Sequence, residues 1–403
     1  MPSGSRLPSA GAGLPEIGDP GSPERRRLLQ FLERQTKQKL GDDLVRWRKW
    51  TWSLPSESLS VHVALKRQLY AGIDPRMARF FPDGVALRIR LDEVDWGGVM
   101  VNGIPPLRNP AVVTAPEANY LRDSDIVFGI EVGGVARAYP KRILAWHELA
   151  LDRLGQIDLA VVYCTLCGTV IPYETHVGAA DFHFGTSGLL YRSNKLMFDE
   201  ETGTLWSAIE GAPVIGPLAR SGIRLPMRAV VTTTWREWRQ MHPDTTVLSI
   251  NTGFSRDYAE GAAYRDYFAS PDLLFPVPAE DRRLNLKDEV LVLRLPSAAG
   301  AIEPLAIDVR LLKRNPLLSF SRGSRRYLVV TTSAGANRVY EGAIAPPMQR
   351  IDRVLRDESG RRWIITESGL VPESGGPALP RVPAQRAFWF AWYAQFPDTV
   401  LLK

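Results

Sequence analysis

Apolar side chains recur with a helical period through the first part of the chain. Leucine, phenylalanine and valine positions between residues 25 and 50 repeat at three- and four-residue intervals, which predicts one amphipathic helix. A second helix is predicted over 59–72 and a short one around 77–81, before the turn-forming sequence Pro-Asp-Gly at 82–84. Residues 25–84 are therefore expected to form a helical N-terminal segment.

The residues before this segment have a different composition. Residues 1–24 are rich in proline, glycine and serine and lack a hydrophobic period, so we expect a disordered tail. This start has no apolar core of the kind that a secretory signal needs. No run of 18 or more apolar residues occurs anywhere in the chain. We therefore expect a cytoplasmic protein without a membrane span.

From residue 85 onward the pattern changes to short strands. Alternating and β-branched runs are separated by glycine and proline, which is typical of β structure. The runs that predict strands are Val85–Ile89, Ile126–Val132, Ala160–Tyr163 and Val247–Ile250, and the best helices are predicted over 141–153 and 235–241. The expected fold class is α+β and β-rich.

Four sequence elements occur twice, in the same order. The matched pairs are Ala160–Tyr163 with Tyr327–Val330, Tyr173-Glu174 with Tyr340-Glu341, Gly203-x-x-Trp206 with Gly360-x-x-Trp363, and Trp235-x-x-Trp238 before Pro243-Asp244-Thr245 with Trp389-x-x-Trp392 before Pro397-Asp398-Thr399. Such repetition predicts the duplication of a unit of about 115–125 residues. We expect two related domains, 85–280 and 281–403, the second a degenerate copy that serves as scaffold.

The two copies differ where chemistry is concerned. The first two matches share an offset of 167, which aligns Cys164 with Thr331, Cys167 with Ala334 and His147 with Arg314. The first copy also has 29 positions between Glu174 and Gly203, where the second has 19 between the corresponding residues. The extra polar, glycine-rich residues lie within 181–194, and they predict a substrate loop.

Composition and charge add few constraints. The 403-residue chain is 45% hydrophobic and 23% charged, as expected for a globular protein of two or three domains. Much of the net charge of +6 lies in a basic stretch over residues 25–49. We interpret this stretch as a solvated helix face, and a nucleic-acid partner is unfavoured. The two cysteines, three positions apart, favour metal binding or redox chemistry over a secreted disulfide framework.

The cysteines follow an apolar strand and share one turn, Tyr163-Cys164-Thr165-Leu166-Cys167-Gly168. This spacing can aim both sulfurs at one metal ion, and Gly168 permits the backbone to fold back. Thiolates suit zinc, copper(I) or iron. Because two sulfurs leave a tetrahedral site incomplete, a third ligand is expected. We favour His147 on the preceding helix and place His183 second, with His176 or a carboxylate also open.

Other interpretations of the cysteine pair stay open. A dithiol redox pair fits the same spacing, although Gly168 and Pro172 argue against the helix N-terminus that activates thioredoxin-like thiols. Two small buried thiols without chemistry are a further possibility. The leading hypothesis is a metal-dependent enzyme, an oxidoreductase acting on an unknown small molecule, in which Glu148 or Tyr191 handles protons. A non-catalytic metal-binding or metal-sensing module is the alternative from a different class.

The same residues resemble a known family. Ala136–Pro140, Trp146-His147-Glu148, the cysteine turn and Phe184–Asn194 are similar to successive blocks of the bacterial family filed as domain of unknown function 3179. The resemblance is strong over about 85–275 and looser elsewhere. Thr165 departs from it, since proline is common at that position of the family's turn. The resemblance supports the location of the site and implies no substrate or activity.

Overall fold

The computed structural model describes residues 22–56, 60–297, 300–344, 349–351 and 353–403, so the expected tail lies almost entirely outside the described residues. The chain divides into two compact units. The first comprises residues up to Ile104, Phe184–Arg224 and Asp266–Glu280, and the second comprises Pro105–His183, Leu225–Arg265 and Asp281–Lys403. The cysteine-bearing residues and the C-terminal residues thus belong to one unit, a division that follows other boundaries than those of the sequence repeat.

The helices are short, and the three longest lie at the start of the described chain. In chain order they are α1 (Pro23–Thr36), α2 (Leu44–Ser53), α3 (Ser60–Ile73), α4 (Lys141–His147), α5 (Trp235–Met241), α6 (Arg265–Ala269), α7 (Val309–Arg314) and α8 (Trp389–Gln395), with 3-10 turns at Pro75–Phe80, Leu91–Glu93 and Ala115–Glu117. Within the described residues, none of these helices has the length and apolar character needed to cross a membrane.

Strands make up most of the remaining regular structure. Those before residue 200 are β1 (Val94–Trp96), β2 (Leu107–Arg108), β3 (Val112–Thr114), β4 (Ile126–Val132), β5 (Val135–Pro140), β6 (Leu149–Leu154), β7 (Ile157–Cys164), β8 (Thr169–Glu174), β9 (His176–Val177), β10 (Ala180–Asp181), β11 (Phe184–Tyr191) and β12 (Asn194–Asp199). The next are β13 (Leu205–Ser207), β14 (Ala212–Ile215), β15 (Val231–Thr234) and β16 (Thr246–Leu248).

The last third of the chain contributes another series of strands. They are β17 (Glu289–Pro296), β18 (Ile302–Asp308), β19 (Leu317–Arg322), β20 (Arg325–Thr331), β21 (Asn337–Glu341), β22 (Gln349–Ile351), β23 (Val354–Arg356), β24 (Arg362–Ile365), β25 (Gly369–Pro372), β26 (Leu379–Val382), β27 (Gln385–Phe388) and β28 (Val400–Leu402). The β-rich α+β class and the helical N-terminal segment are therefore confirmed.

Three predicted elements need correction. The single helix expected over 25–50 is two helices, because Lys37 takes a left-handed conformation (φ 58°) after α1 and Asp43 caps the start of α2. The strand expected over 85–89 is only an isolated bridge from Leu87 to Ile215. The helix expected over 141–153 ends at His147, since Glu148 is left-handed (φ 56°) and the following residues pair as β6 with β7. The strand Ile126–Val132 and the helix 235–241 are confirmed.

The first unit contains a five-stranded sheet in the order β1-β11-β12-β13-β14, with neighbours antiparallel. Its apolar core joins α3 and the first 3-10 turn to this sheet through Tyr70, Met77, Phe80, Leu189 and Phe198. Two residues of the basic stretch form ion pairs in this unit. Arg48 pairs with Asp95 at 2.6 Å, and Lys49 pairs with Glu280 at 2.7 Å.

The second unit contains two sheets that share the order of four strands. In the first, β15-β4-β5-β16-β3, the outer strand β15 pairs antiparallel with β4, and β16 pairs parallel with β5. In the second, β27-β17-β18-β28, the corresponding pairs have the same directions. Strand β5 leads through α4 into the antiparallel meander β6-β7-β8, and β18 leads through α7 into the antiparallel meander β19-β20-β21.

The matched residues Trp238 and Trp392 lie in the helices α5 and α8 and make the same hydrogen bond. The indole N–H of Trp238 donates to Thr245 Oγ1 at 2.9 Å, and that of Trp392 donates to Thr399 Oγ1 at 2.8 Å. Both indoles are fully buried. A buried indole N–H needs an acceptor, so the threonine of each Pro-Asp-Thr sequence is explained by this bond.

Gly129→Ala is expected to destabilise the second unit. A Cβ atom there would lie 2.2 Å from two ring carbons of Trp238, so the buried indole would have to move. We expect a loss of about 3 kcal/mol in the free energy of unfolding, measured in urea. Gly72→Ala near the end of α3 is the matched control, because its Cβ would meet nothing within 4 Å. An equal effect of the two substitutions would contradict the close packing of Trp238.

Candidate functional site

The two cysteines lie in a tight turn between β7 and β8. The Cys167 N–H donates to the Cys164 carbonyl at 3.1 Å, and Gly168 completes the turn with a left-handed φ of 62°. The two Sγ atoms are 2.6 Å apart, and both cysteines are free thiols. The exposed fraction is 3% for Cys164 and 0% for Cys167, so both sulfurs are shielded from water. The turn therefore brings the sulfurs together, as the sequence predicts.

A strand from the C-terminal part of the same unit supports this turn. The N–H of Phe388, at the end of β27, donates to the Cys167 carbonyl at 2.8 Å. A Cβ on Gly168 would lie 3.2–3.3 Å from three ring carbons of Phe388, which is closer than most Cβ contacts. Glycine at residue 168 is thus favoured for two reasons, its left-handed φ and the nearby aromatic ring.

Glu148 is fixed beside the thiols by its backbone. Its N–H donates to the Leu144 carbonyl at 2.6 Å, which ends α4, and its carbonyl accepts from the Tyr163 N–H at 2.8 Å. Its exposed fraction is only 8%. Because Tyr163 directly precedes Cys164, these bonds hold a carboxylate next to the cysteine turn.

The electrostatics of this cluster favour protonated groups. Burial, the neighbouring Cys164 thiol and the Glu148 carboxylate together raise the pKa of the Cys167 thiol. Burial raises the pKa of Tyr163 well above its usual range, with the nearby Cys164 and Glu148 adding to the effect. Cys167 is therefore a thiol at neutral pH, and its ionisation requires a proton acceptor.

A tyrosine donates to this carboxylate. The Tyr264 hydroxyl is 3.1 Å from Glu148 Oε1. Burial and the Glu148 charge raise the pKa of Tyr264 well above its usual range, so its hydroxyl keeps the proton that it donates. This hydrogen bond partly compensates a carboxylate that is almost entirely withdrawn from water.

His147 is buried, but its ring nitrogens form hydrogen bonds with oxygen atoms and not with the cysteines. Nδ1 is 2.8 Å from the Pro105 carbonyl oxygen, and Nε2 is 2.6 Å from the Tyr258 hydroxyl. Burial lowers the pKa of the ring, so it is neutral at neutral pH. A carbonyl can only accept, so Nδ1 carries the proton and Nε2 accepts from Tyr258. Both nitrogens are thus engaged by oxygen atoms, and neither bonds a sulfur.

The other two predicted site residues lie outside the cysteine cluster. His183 lines a pocket of about 410 Å³ together with Asp158 and Leu159, at the start of β7. Since a strand rises about 3.3 Å per residue, Asp158 and Cys164 are roughly 20 Å apart along β7. Tyr191 ends β11 in the first unit, where the Arg192 guanidinium lies 5.0 Å from its ring centre, and burial raises its pKa.

The proposed metal ligands do not assemble into a recognisable centre. Within the described residues, no group of three or more His, Cys, Asp or Glu side chains is arranged to hold a metal ion. The metal prediction for Cys164, Cys167, His147 and His183 therefore stays a prediction.

Three residues at the site were missed by the sequence reasoning. Tyr258 and Tyr264 lie more than a hundred positions from the residues that they contact, and Phe388 lies further still from the cysteines. No local motif marks the two tyrosines. Phe388 directly precedes Trp389, which belongs to one of the repeated sequence elements, and this adjacency was the one signal in the sequence that could have marked Phe388 as a residue of interest.

Fold and site together define a two-unit, β-rich protein with a buried pair of thiols beside a carboxylate. Residues 101–399 match the family described as Protein of unknown function (DUF3179), and the chain belongs to that family. No curated protein and no solved structure matches the chain.

Gly168→Ala is expected to lower stability more than Gly178→Ala. Both glycines are left-handed, with φ values of 62° and 64°, but only the first faces a ring; a Cβ on Gly178 would meet nothing within 4 Å. Urea unfolding should show a loss of about 1 kcal/mol for Gly178→Ala and about twice that for Gly168→Ala. Equal losses would mean that Phe388 yields freely and does not constrain the turn.

Proposed function

We propose that the protein is a thiol–disulfide oxidoreductase whose reactive centre is the Cys164–Cys167 pair. The observation that carries this proposal is the distance of 2.6 Å between the two sulfur atoms of one turn, which no disulfide joins. A disulfide needs only these two atoms, whereas a metal centre needs further donors. The bond can form with a small movement of the turn.

The reaction that fits the pair is exchange with a small-molecule disulfide. The Cys164 thiolate attacks one substrate sulfur, and the first thiolate of the substrate leaves and takes up a proton. Cys167, once deprotonated, attacks Cys164 Sγ and releases the second substrate thiolate, which is protonated in turn. The substrate gains two electrons and two protons, and the protein is left with a Cys164–Cys167 disulfide. Because both sulfurs are buried, this exchange requires a local opening.

Glu148 is the proton acceptor that we assign to this reaction. Its backbone is tied to the residue before Cys164, and its charge acts directly on Cys167. A thiol whose pKa is raised needs a base close by to form its thiolate. Glu148 can take this proton and pass it to the departing substrate thiolate. Tyr191, the other residue expected to handle protons, belongs to the first unit, whereas both cysteines belong to the second.

A metal-dependent oxidoreductase remains the second candidate. The observation in its favour is the same buried carboxylate, an oxygen donor for zinc, iron or copper. Because no three His, Cys, Asp or Glu side chains among the described residues are arranged to hold a metal ion, this carboxylate would have to move to join the two thiolates. The third ligand would then be Glu148, since both ring nitrogens of His147 are bonded to oxygen atoms. An alternative role as a non-catalytic metal-binding module would use the same donors.

We further propose that the second unit arose by duplication. The two sheets share strand order and direction, and both contain the same indole–threonine hydrogen bond. The copy at 281–403 lacks the thiols, so we assign it a supporting role. We also propose that the protein works in the cytoplasm, where reducing conditions would keep the pair as dithiol between turnovers.

The redox proposal predicts a single two-electron transition. The untagged protein is equilibrated in thiol–disulfide buffers of graded potential, quenched with acid and alkylated. Mass spectrometry should find two alkylated cysteines at reducing potentials and none at oxidising ones. Cys164→Ser and Cys167→Ser are the controls, because neither can form the intramolecular bond. About one metal ion per chain, lost in Cys164→Ser, together with no disulfide, would refute the proposal in favour of the metal candidate.

The raised pKa of Cys167 gives the transition a characteristic pH dependence. Oxidation releases two protons with two electrons, so the midpoint potential falls by about 59 mV per pH unit while both groups are thiols. Because its raised pKa keeps Cys167 protonated beyond the usual range near 8.5, we expect a slope of at least about 30 mV per pH unit to persist above about pH 9. Glu148→Gln removes a negative charge, lowers the thiol pKa and should flatten the slope at lower pH. An unchanged profile would contradict the role of Glu148.

A further inference from the structure

The cysteine cluster is bordered by a long irregular segment. Residues 250–264, here called the strap, connect β16 to α6 and form neither helix nor strand. Of this segment, Tyr258 and Ala263 are buried against the same apolar cluster as Tyr163. The strap is therefore packed onto the element that carries the cysteines, without the backbone pairing that fixes the surrounding strands.

Side-chain contacts fasten the strap to α4 and to the residue after it: the Arg142 guanidinium pairs with Glu260 at 3.2 Å, and hydrogen bonds reach three consecutive residues further on. The Trp146 indole N–H donates to the Asp257 carbonyl at 2.7 Å, the Tyr258 hydroxyl meets His147 at 2.6 Å, and the Tyr264 hydroxyl donates to Glu148 at 3.1 Å. These three residues end α4 and lead into β6. A segment held by side chains opens locally at much lower cost than a paired strand.

Tyr264 is the strap residue that reaches the reactive groups. Its hydroxyl bonds Glu148 Oε1 and lies close enough to Cys164 for that thiol to raise its pKa. The other titratable or charged groups facing this cluster are Tyr163 and Cys167 from β7 and its turn, Glu289 from the start of β17, which acts on Tyr163, and Arg256 of the strap, which acts on His147. Tyr264 thus links the strap, which is able to open, with Glu148, the carboxylate assigned as the base.

We propose that Tyr264 is a positioning residue for the dithiol and that the strap is its gate. In the closed state the Tyr264 hydroxyl orients the Glu148 carboxylate toward Cys167. Release of the strap exposes Cys164 to a disulfide and frees that carboxylate at the same time. The proposal rests on the redox role assigned to the two cysteines, although the gate can be tested without it.

Thiol labelling of the folded chain tests the gate. In a Cys167→Ser background, Cys164 is labelled with an aromatic disulfide reagent at urea concentrations below the unfolding transition. A local gate predicts a labelling rate that is nearly independent of urea. Tyr264→Phe should raise the rate by about tenfold or more, as expected for the loss of one hydrogen bond to a charged group.

Tyr340→Phe is the matched control for labelling. It removes one buried hydroxyl bond, to the Thr366 carbonyl at 2.9 Å, in the same unit but outside the strap. It should leave the labelling rate of Cys164 unchanged. A rate that rises with urea as steeply as global unfolding, or an equal increase in Tyr264→Phe and Tyr340→Phe, would overturn the gate.

The pH profile of the midpoint potential tests positioning. In Tyr264→Phe the carboxylate can turn away, so the slope should flatten at lower pH, in the direction of Glu148→Gln. Tyr258→Phe loosens the strap without touching Glu148 and should keep the profile of the natural sequence. If both tyrosine variants shift the profile alike, Tyr264 has only a structural role. If the chain never forms the disulfide, the redox proposal is refuted. The labelling experiment would still show whether the strap acts as a gate.

Discussion

Main-chain hydrogen bonds hold the end of β7 from two directions, and the candidate site depends on them. The bond from Tyr163 to the Glu148 carbonyl joins the strand to the end of α4, and the bond from Phe388 to the Cys167 carbonyl joins the turn to β27. Both are 2.8 Å long and leave the cysteine turn little freedom. Side chains at this point can therefore keep an arrangement that would be unfavourable in a flexible loop.

The arrangement is unfavourable because it places an acidic group beside two thiols out of water. A carboxylate with 8% exposure loses most of its hydration, and its charge opposes ionisation of Cys167. A core built for stability alone would have apolar side chains here. Groups whose pKa is shifted by burial and by a specific neighbour are characteristic of functional sites, which is why the cluster supports a chemical role. The hydrogen bond from the Tyr264 hydroxyl offsets part of the free-energy cost of burying the Glu148 carboxylate. It also links this carboxylate to the strap, which is able to open.

The sequence located the sulfurs correctly but not their surroundings. The turn from Cys164 to Gly168 follows from local spacing, and the bounds of β4 and α5 follow from local periodicity. Glu148 was placed inside a helix because the residues around it are compatible with helix; its left-handed conformation depends on pairing between β6 and β7. His147 was assigned to the sulfurs, yet its Tyr258 partner is 111 positions away and follows no motif. Local patterns cannot encode contacts of that range, which arise only when the sheets pack.

The two copies of the proposed duplication depend on each other. Strand β27 of the second copy lies against β8, next to the thiol turn, while β15 of the first copy lies against β21 of the second. Each copy thus supplies the strand that borders the meander of the other. Residues 281–403 contain no cysteine, but their strand β27 donates the hydrogen bond that holds the Cys167 carbonyl. These residues therefore support the candidate site without supplying its thiols, since the turn and its buried carboxylate would lose one of their two anchors without β27.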